Sequence, residues 1–134
     1  MTNLYLKVYS NEHEEMLIDG TEEYTICANI DDILDDIKKI ISKKKVIIHS
    51  DENDDEPDEF TCISDEEIPD VLDLIYKKST SLIKESAKKI DSIDKNEGYE
   101  LLYKMKNLND ALFLIKTKND KLLLNKRAIL QIGG

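Results

Sequence analysis

Apolar and polar residues alternate near the N-terminus, which is the pattern of β-strands. Leu4, Leu6 and Val8 occupy every second position, so they share one face of a strand. Residues 16–18 and 23–30 have the composition of two further short strands, and Asp19-Gly20 between them is a turn dipeptide. We therefore expect residues 1–30 to form a small antiparallel meander.

The spacing changes to that of a helix after Asp31-Asp32. Apolar residues recur on one stripe, at Ile33, Leu34, Ile37, Ile40 and Ile41. Acids begin this segment and lysines end it, as the helix dipole favours. The pattern predicts an amphipathic helix over about 31–43. A β-branched run at 46–48 then predicts a buried strand.

A longer apolar stripe predicts a second amphipathic helix over about 70–93. Ser64 and Glu67 have the spacing of a capping box shortly before it. Ser79 and Ser86 interrupt the stripe, which indicates close packing against a sheet or a partner. A short strand is expected before this helix, at residues 60–63.

Strands are expected to return in the C-terminal third. Residues 99–106 alternate between two faces, which favours a strand and leaves a short helix as the alternative. Residues 111–117 form an apolar run typical of a strand, and 121–124 would return antiparallel to it. Residues 129–132 complete the pattern as a last strand.

The predicted order of elements is β-β-α-β-(β)-α-β-β-β. It indicates an α+β fold, a mainly antiparallel sheet with two amphipathic helices packed on one face. The 134 residues have the length of a single domain, over 1–134, with an acidic loop at 50–59 exposed.

Charge is distributed unevenly along the chain. The formal net charge is −10, yet residues 1–76 alone carry −16 and residues 77–134 carry +6. Between Ser50 and Tyr76 there are twelve acidic residues and no Lys, Arg or His. Carboxylates at this density repel one another and cannot be buried unpaired. They must therefore be solvated or face a cationic partner.

These carboxylates are the predicted partner-binding residues. We divide them into an acidic run and an acidic turn that follows it. The acidic run is Asp51, Glu52, Asp54, Asp55, Glu56, Asp58 and Glu59, and the acidic turn is Asp65, Glu66 and Glu67. Free nucleic acid and anionic membranes are disfavoured partners for such a surface, whereas a basic protein surface is favoured. The alternative is that the acidity only confers solubility.

Residues suited to catalysis or metal binding are sparse. Asp51, Asn53 and Asp55 fit the start of a calcium-binding EF-hand loop, but Glu56 and Cys62 replace its required Gly and Glu. A Cys–His pair, such as Cys62 with His49, could act as nucleophile and base, but no motif supports it. We therefore expect no catalytic residue, no metal and no cofactor.

The remaining features indicate a soluble cytoplasmic protein, either microbial or in the host cytoplasm if viral. No run of 18 apolar residues is present, the N-terminus lacks the pattern of a signal peptide, and two cysteines make a poor disulfide framework.

The leading hypothesis is a non-enzymatic acidic protein that binds and inhibits or regulates a basic, nucleic-acid-handling protein. It would act in the manner of a DNA-mimic antagonist or an acidic immunity protein. The alternative is a homodimeric assembly subunit or secretion-type chaperone that uses the 70–93 helix. An enzyme of unrecognised type is the third possibility.

Overall fold

The first strand, β1 at Asn3–Tyr9, pairs antiparallel with a neighbour on each side. This computed structural model describes residues 1–9, 17–19, 22–41, 45–49, 56, 58–118 and 127–133. The other elements are β2 at Leu17–Asp19, β3 at Glu22–Asn29, a 3-10 turn at Asp31–Ile33, α1 at Leu34–Ile40, β4 at Lys45–His49, β5 at Asp58–Ile63, α2 at Ile68–Lys88, α3 at Lys95–Lys118 and β6 at Arg127–Gly133.

The described strands form one six-stranded sheet in the order β2-β4-β5-β6-β1-β3. Every neighbouring pair is antiparallel except β2 with β4. The predicted α+β class and mainly antiparallel sheet are therefore confirmed. The predicted meander over 1–30 is wrong, because β2 lies at the far edge of the sheet, away from β1 and β3. Local alternation identifies a strand, but its partner is chosen by long-range packing.

One face of the sheet carries the hydrophobic core. Leu4 and Leu6 of β1 and Leu130 of β6 are fully buried there, under the helices. The helices contribute their inner residues to the same cluster, among them Val71 and Ile75 of α2 and Leu108, Ala111 and Ile115 of α3. The two predicted amphipathic helices correspond to α1 and α2, so helical packing on this face is confirmed.

The third helix corrects the prediction of strands over 99–106 and 111–117. Both segments belong to α3, a continuous helix of 24 residues. Its buried residues recur at helical spacing, at Asn107, Leu108, Ala111, Leu114 and Ile115. Apolar residues also lie on its outer face, including Leu102 and Phe113, which are exposed. This two-sided apolar composition hides the helical period and imitates the alternation of a strand.

The starts of α2 and α3 have local chemical causes. α2 carries Pro69 in its first turn, where the missing N–H is not needed. α3 is preceded by Asp94, whose carboxylate accepts a hydrogen bond from the backbone N–H of Glu97 at 2.8 Å. Asp94 with Glu97 is therefore a helix-start signal in the sequence. The prediction of a helix over 70–93 and a strand over 99–106 placed no helix start at this position.

The predicted strand over 121–124 and residues 50–55 of the predicted loop over 50–59 lie outside the described residues. The last two residues of that predicted loop, 58 and 59, belong to β5. Division of the chain into domains stays a prediction.

Candidate protein-binding surfaces

The acidic run is only partly within the described residues. Asp51, Glu52, Asp54 and Asp55 lie outside them, and Asp58 is described only as backbone of β5. Glu56 and Glu59 are exposed. The structure therefore bears on the C-terminal end of the acidic run.

The described part of the acidic run and the acidic turn lie at opposite ends of β5. Glu59 is near the start of this strand, whereas Asp65 and Glu66 follow its end and are exposed. A strand rises about 3.3 Å per residue, so Glu59 and Asp65 are separated by roughly 20 Å along the chain. The predicted binding residues thus form two groups and not one cluster.

The acidic turn takes part in the fold. Asp65 forms an ion pair with Lys118 at the end of α3, and the side chain of Lys118 is only 13% exposed. Glu67 accepts hydrogen bonds from the backbone N–H and the hydroxyl of Ser64, at 3.0 and 2.7 Å. The Ser64–Glu67 spacing therefore corresponds to a real contact before α2. Asp65 also links the acidic part of the sequence to the basic part within one molecule.

A further acidic group surrounds the 3-10 turn. The backbone N–H of Thr2 donates to Asp31 at 2.7 Å, and the side-chain amide of Asn29 donates to the same carboxylate at 3.2 Å. The hydrogen bond from Thr2, followed by that from Asn29, lowers the pKa of Asp31 below its ordinary value. Asp32 and Asp35 are exposed beside it.

A small cleft lies where the 3-10 turn, α2 and α3 meet. Its volume is about 160 Å³, and it is lined by Asp32, Ile33, Lys78, Leu82, Lys104 and Leu108. Lys78 pairs with Asp36 of α1 at 3.3 Å, and Lys104 pairs with Glu100 at 3.3 Å. Pockets for small molecules are usually about 300–1,000 Å³, so this cleft is small for a substrate.

The residues considered for catalysis are not brought together. Cys62 is buried on β5 and Cys27 is exposed, and the two are not joined by a disulfide. The register pairs Lys45 with Thr61 and Ile48 with Asp58, so the backbone of His49 lies at the far end of β4 from Cys62, roughly 15 Å along the strand. The backbone register therefore does not bring Cys62 and His49 together. Within the described ranges, no group of three potential metal ligands occurs.

The sheet face opposite the core carries a cluster of aromatic and polar residues. The ammonium of Lys7 lies 5.7 Å from the ring centre of Tyr5 and 5.4 Å from that of Phe60. Gln131 lies between these strands, opposite Tyr5 and Cys62, and is 2% exposed. Within the part of the chain that the structure describes, its side-chain oxygen has no hydrogen-bond partner. The contacts of Lys7 with the two rings stabilise the sheet.

Most of the exposed large apolar side chains among the described residues lie on the helical hairpin. We call residues 76–106, the second half of α2 and the first half of α3, the distal hairpin. No residue in this range is fully buried, and six large apolar side chains are exposed there: Tyr76, Ile83, Ile90, Tyr99, Leu102 and Tyr103. Its three tyrosines alone expose roughly 350 Å², taking a full aromatic side chain as about 200 Å². The single apolar stripe predicted over 70–93 did not indicate this outer surface.

Comparison with known proteins yielded no match: no family model fits the chain, and no curated protein or solved structure is significantly similar to it. None of the helices in the described part of the chain combines the length and apolar character needed to cross a membrane.

Proposed function

We propose that the protein acts by binding a basic surface of another protein and inhibiting or regulating it, without chemistry of its own. The observation that carries this proposal is the charge distribution. Twelve carboxylates and no basic residue occur between Ser50 and Tyr76, and the side chains of Glu56, Glu59, Asp65 and Glu66 are exposed. A surface of this sign attracts a cationic partner over long range and speeds the encounter.

The proposed role needs an exposed charged surface and no catalytic site. Among the described residues, the groups whose pKa is shifted, Asp31, Lys77 and Lys106, are fully exposed and paired locally. General acid–base catalysis usually needs a carboxylate or base that is tuned by burial in a cleft. We accordingly propose a cytoplasmic binding protein whose target is a protein that handles nucleic acid.

The separation of the acidic groups along β5 constrains the geometry of the proposed complex. Carboxylate groups at the two ends of β5 match an extended cationic groove better than a single deep pocket. A groove that holds the nucleic-acid backbone presents basic groups over such a span. The partner would therefore contact both the acidic run and the acidic turn.

The test uses capture of the tagged protein from extracts of its source cells, with stepwise salt elution, followed by titration of the purified partner. One variant neutralises the seven residues of the acidic run to Asn or Gln. A matched control neutralises seven acids elsewhere, at Glu12, Glu14, Glu15, Glu23, Asp35, Asp91 and Glu97. Both variants change the net charge by the same amount, so they separate a local contact from overall charge.

We expect the acidic-run variant to lose at least tenfold in affinity for the partner and most of the salt dependence, because its contacts are ionic. The control should lose much less. Equal losses in the two variants would mean that only net charge matters, and unchanged affinity in the acidic-run variant would contradict the proposal.

A second candidate function is that of a homodimeric assembly subunit or secretion-type chaperone. The exposed apolar side chains of the distal hairpin favour it, because large apolar patches on a protein surface mark binding sites. Light scattering across a wide concentration range distinguishes this candidate, since it requires a dimer.

A further inference from the structure

α2 has two apolar faces, and only one of them is used by the fold. The inner face carries Ile68, Val71 and Ile75, which are buried against the core. The outer face carries Tyr76, Thr80, Ile83 and Ala87, at spacings of four, three and four residues. This alternation of three and four is the spacing of the contact positions in paired helices. We call these four residues the outer stripe.

The outer stripe is exposed to solvent, and the hydroxyl of its threonine is already hydrogen-bonded within the helix. The side chain of Tyr76 is 70% exposed and that of Ile83 is 59% exposed, and Ala87 is exposed as well. The hydroxyl of Thr80 donates to the backbone carbonyl of Tyr76 at 2.9 Å, so it is satisfied within the helix. A second helix could therefore cover Thr80 without stranding its hydroxyl.

The rows on either side of the outer stripe differ in character. On the inner side, the half-buried Ser79 and Ser86 are small, and the hydroxyl of Ser86 donates to the carbonyl of Leu82 at 2.8 Å. Small residues there permit close approach of a partner helix. On the other side lies a row of lysines at positions 77, 84 and 88, one step around the helix.

The lysine row indicates the chemistry of the occupant. Lys77 is paired with Asp73 at 2.9 Å. Among the described residues, no carboxylate pairs with Lys84 or Lys88, although the chain as a whole has ten more acids than bases. Residues beside the apolar seam of paired helices set partner choice through charge. In an antiparallel pair, two facing copies of α2 would bring their lysine rows together, which disfavours that arrangement of a second copy of this chain.

From these observations we infer that the outer stripe is the docking site for an amphipathic helix of another protein, one with acidic residues beside its apolar seam. The apolar contacts at Tyr76 and Ile83 supply affinity, and Lys84 and Lys88 select an acidic flank. This site is separate from the acidic run and turn and does not depend on the function proposed for them. If both sites operate, the protein can hold a basic partner and an acidic helix at once.

The test uses two labelled synthetic helices of 21 residues with the same leucine seam, one flanked by glutamates and one by lysines. Fluorescence anisotropy with the full-length protein measures binding of each. We expect the glutamate helix to bind roughly fivefold more tightly. Ile83→Glu should weaken its binding about tenfold or more, because it removes a buried apolar contact and adds a charge.

The decisive variant is the charge reversal Lys84→Glu with Lys88→Glu, which should reverse the preference toward the lysine helix. The matched control is Lys95→Glu with Lys116→Glu, which makes the same change in net charge on α3 and should leave the preference intact. Phe113→Ala, an exposed apolar residue on α3, controls for nonspecific apolar adhesion and should bind as the unmodified protein does.

The inference is overturned if the unmodified protein binds neither helix, or binds both equally. It also fails if the control pair reverses the preference as the test pair does, because the selectivity would then reflect net charge. Sedimentation equilibrium of the protein alone tests whether a second copy of the chain occupies the outer stripe. A dimer that Ile83→Glu abolishes would assign the stripe to that second copy and overturn the proposal. Circular dichroism of each variant verifies that α2 is folded.

Discussion

At the scale of single residues, several carboxylates act as hydrogen-bond acceptors for the backbone as well as carriers of charge. Asp31 accepts from Thr2, Glu67 accepts from Ser64, and Asp94 accepts from the N–H of Glu97. Each contact fixes the start of a helix or ties a chain end to a turn. The acidity of this protein is therefore partly structural, and not every carboxylate is available to a partner.

The contact between Asp31 and Thr2 predicts a pH dependence of stability. The Asp31 carboxylate has a folded-state pKa below the ordinary value of 3.8, because hydrogen bonds favour the charged form. Such a group contributes stability that is present above the unfolded-state pKa and is lost as the pH falls through the folded-state pKa. Asp31→Asn should therefore lower the melting temperature at pH 7, and this difference should shrink as the pH falls below 3.8.

Thermal unfolding followed by circular dichroism at pH 7, 5, 4 and 2.5 measures this difference. Asp35→Asn is the control, because Asp35 is exposed and takes part in none of the described hydrogen bonds. A gap between the unmodified protein and Asp31→Asn that persists unchanged at pH 2.5 would contradict the prediction.

At the scale of elements, the strands and the first two helices follow from the sequence because each has one buried face. β1 alternates cleanly since one side of it meets the core, and α2 shows a stripe since one side of it does. α3 is different because its outer residues Tyr99, Leu102 and Phe113 are apolar but exposed. The spacing of apolar residues predicts an element correctly only when the apolar residues are the buried ones, so apolar residues that are exposed lead to a wrong prediction.

A pair of leucines in α3 tests the helix directly. Leu108 is 4% exposed and Leu102 is 67% exposed. In a strand these two positions would share a face, because they are separated by an even number of residues. In the helix they lie on different faces. Leu108→Ala should destabilise the protein by about 2–5 kcal/mol, whereas Leu102→Ala should change its stability by less than about 0.5 kcal/mol.

Urea unfolding of both variants gives the two free energies under identical conditions. The two substitutions remove the same atoms from the same element, so each is the control for the other. Similar losses for Leu102→Ala and Leu108→Ala would contradict the packing described for α3.

At the scale of the whole molecule, the sequence indicates where charge is placed but not how the charged parts meet. The sign change near Tyr76 is visible in the sequence, whereas the ion pair of Asp65 with Lys118 joins residues 53 positions apart. The position of β2 beside β4 is equally long-range. Both depend on the assembled sheet and helices, which no local pattern encodes. The predicted binding site was likewise divided by the geometry of β5.

The balance between repulsion and attraction across the molecule can be measured with salt. The described ion pairs are mostly exposed, and such pairs contribute about 0–1 kcal/mol each. The excess of ten negative charges acts over longer distances, and added salt screens it. We therefore expect the melting temperature to rise between 0.05 and 0.5 M NaCl.

The seven-residue neutralisation of the acidic run should raise the melting temperature at low salt and flatten its dependence on NaCl. The matched neutralisation elsewhere should flatten it less, because its charges are spread along the chain. A melting temperature that falls with NaCl would instead mean that attraction between the acidic and basic parts stabilises the fold, and that the acidic run is already engaged within its own chain.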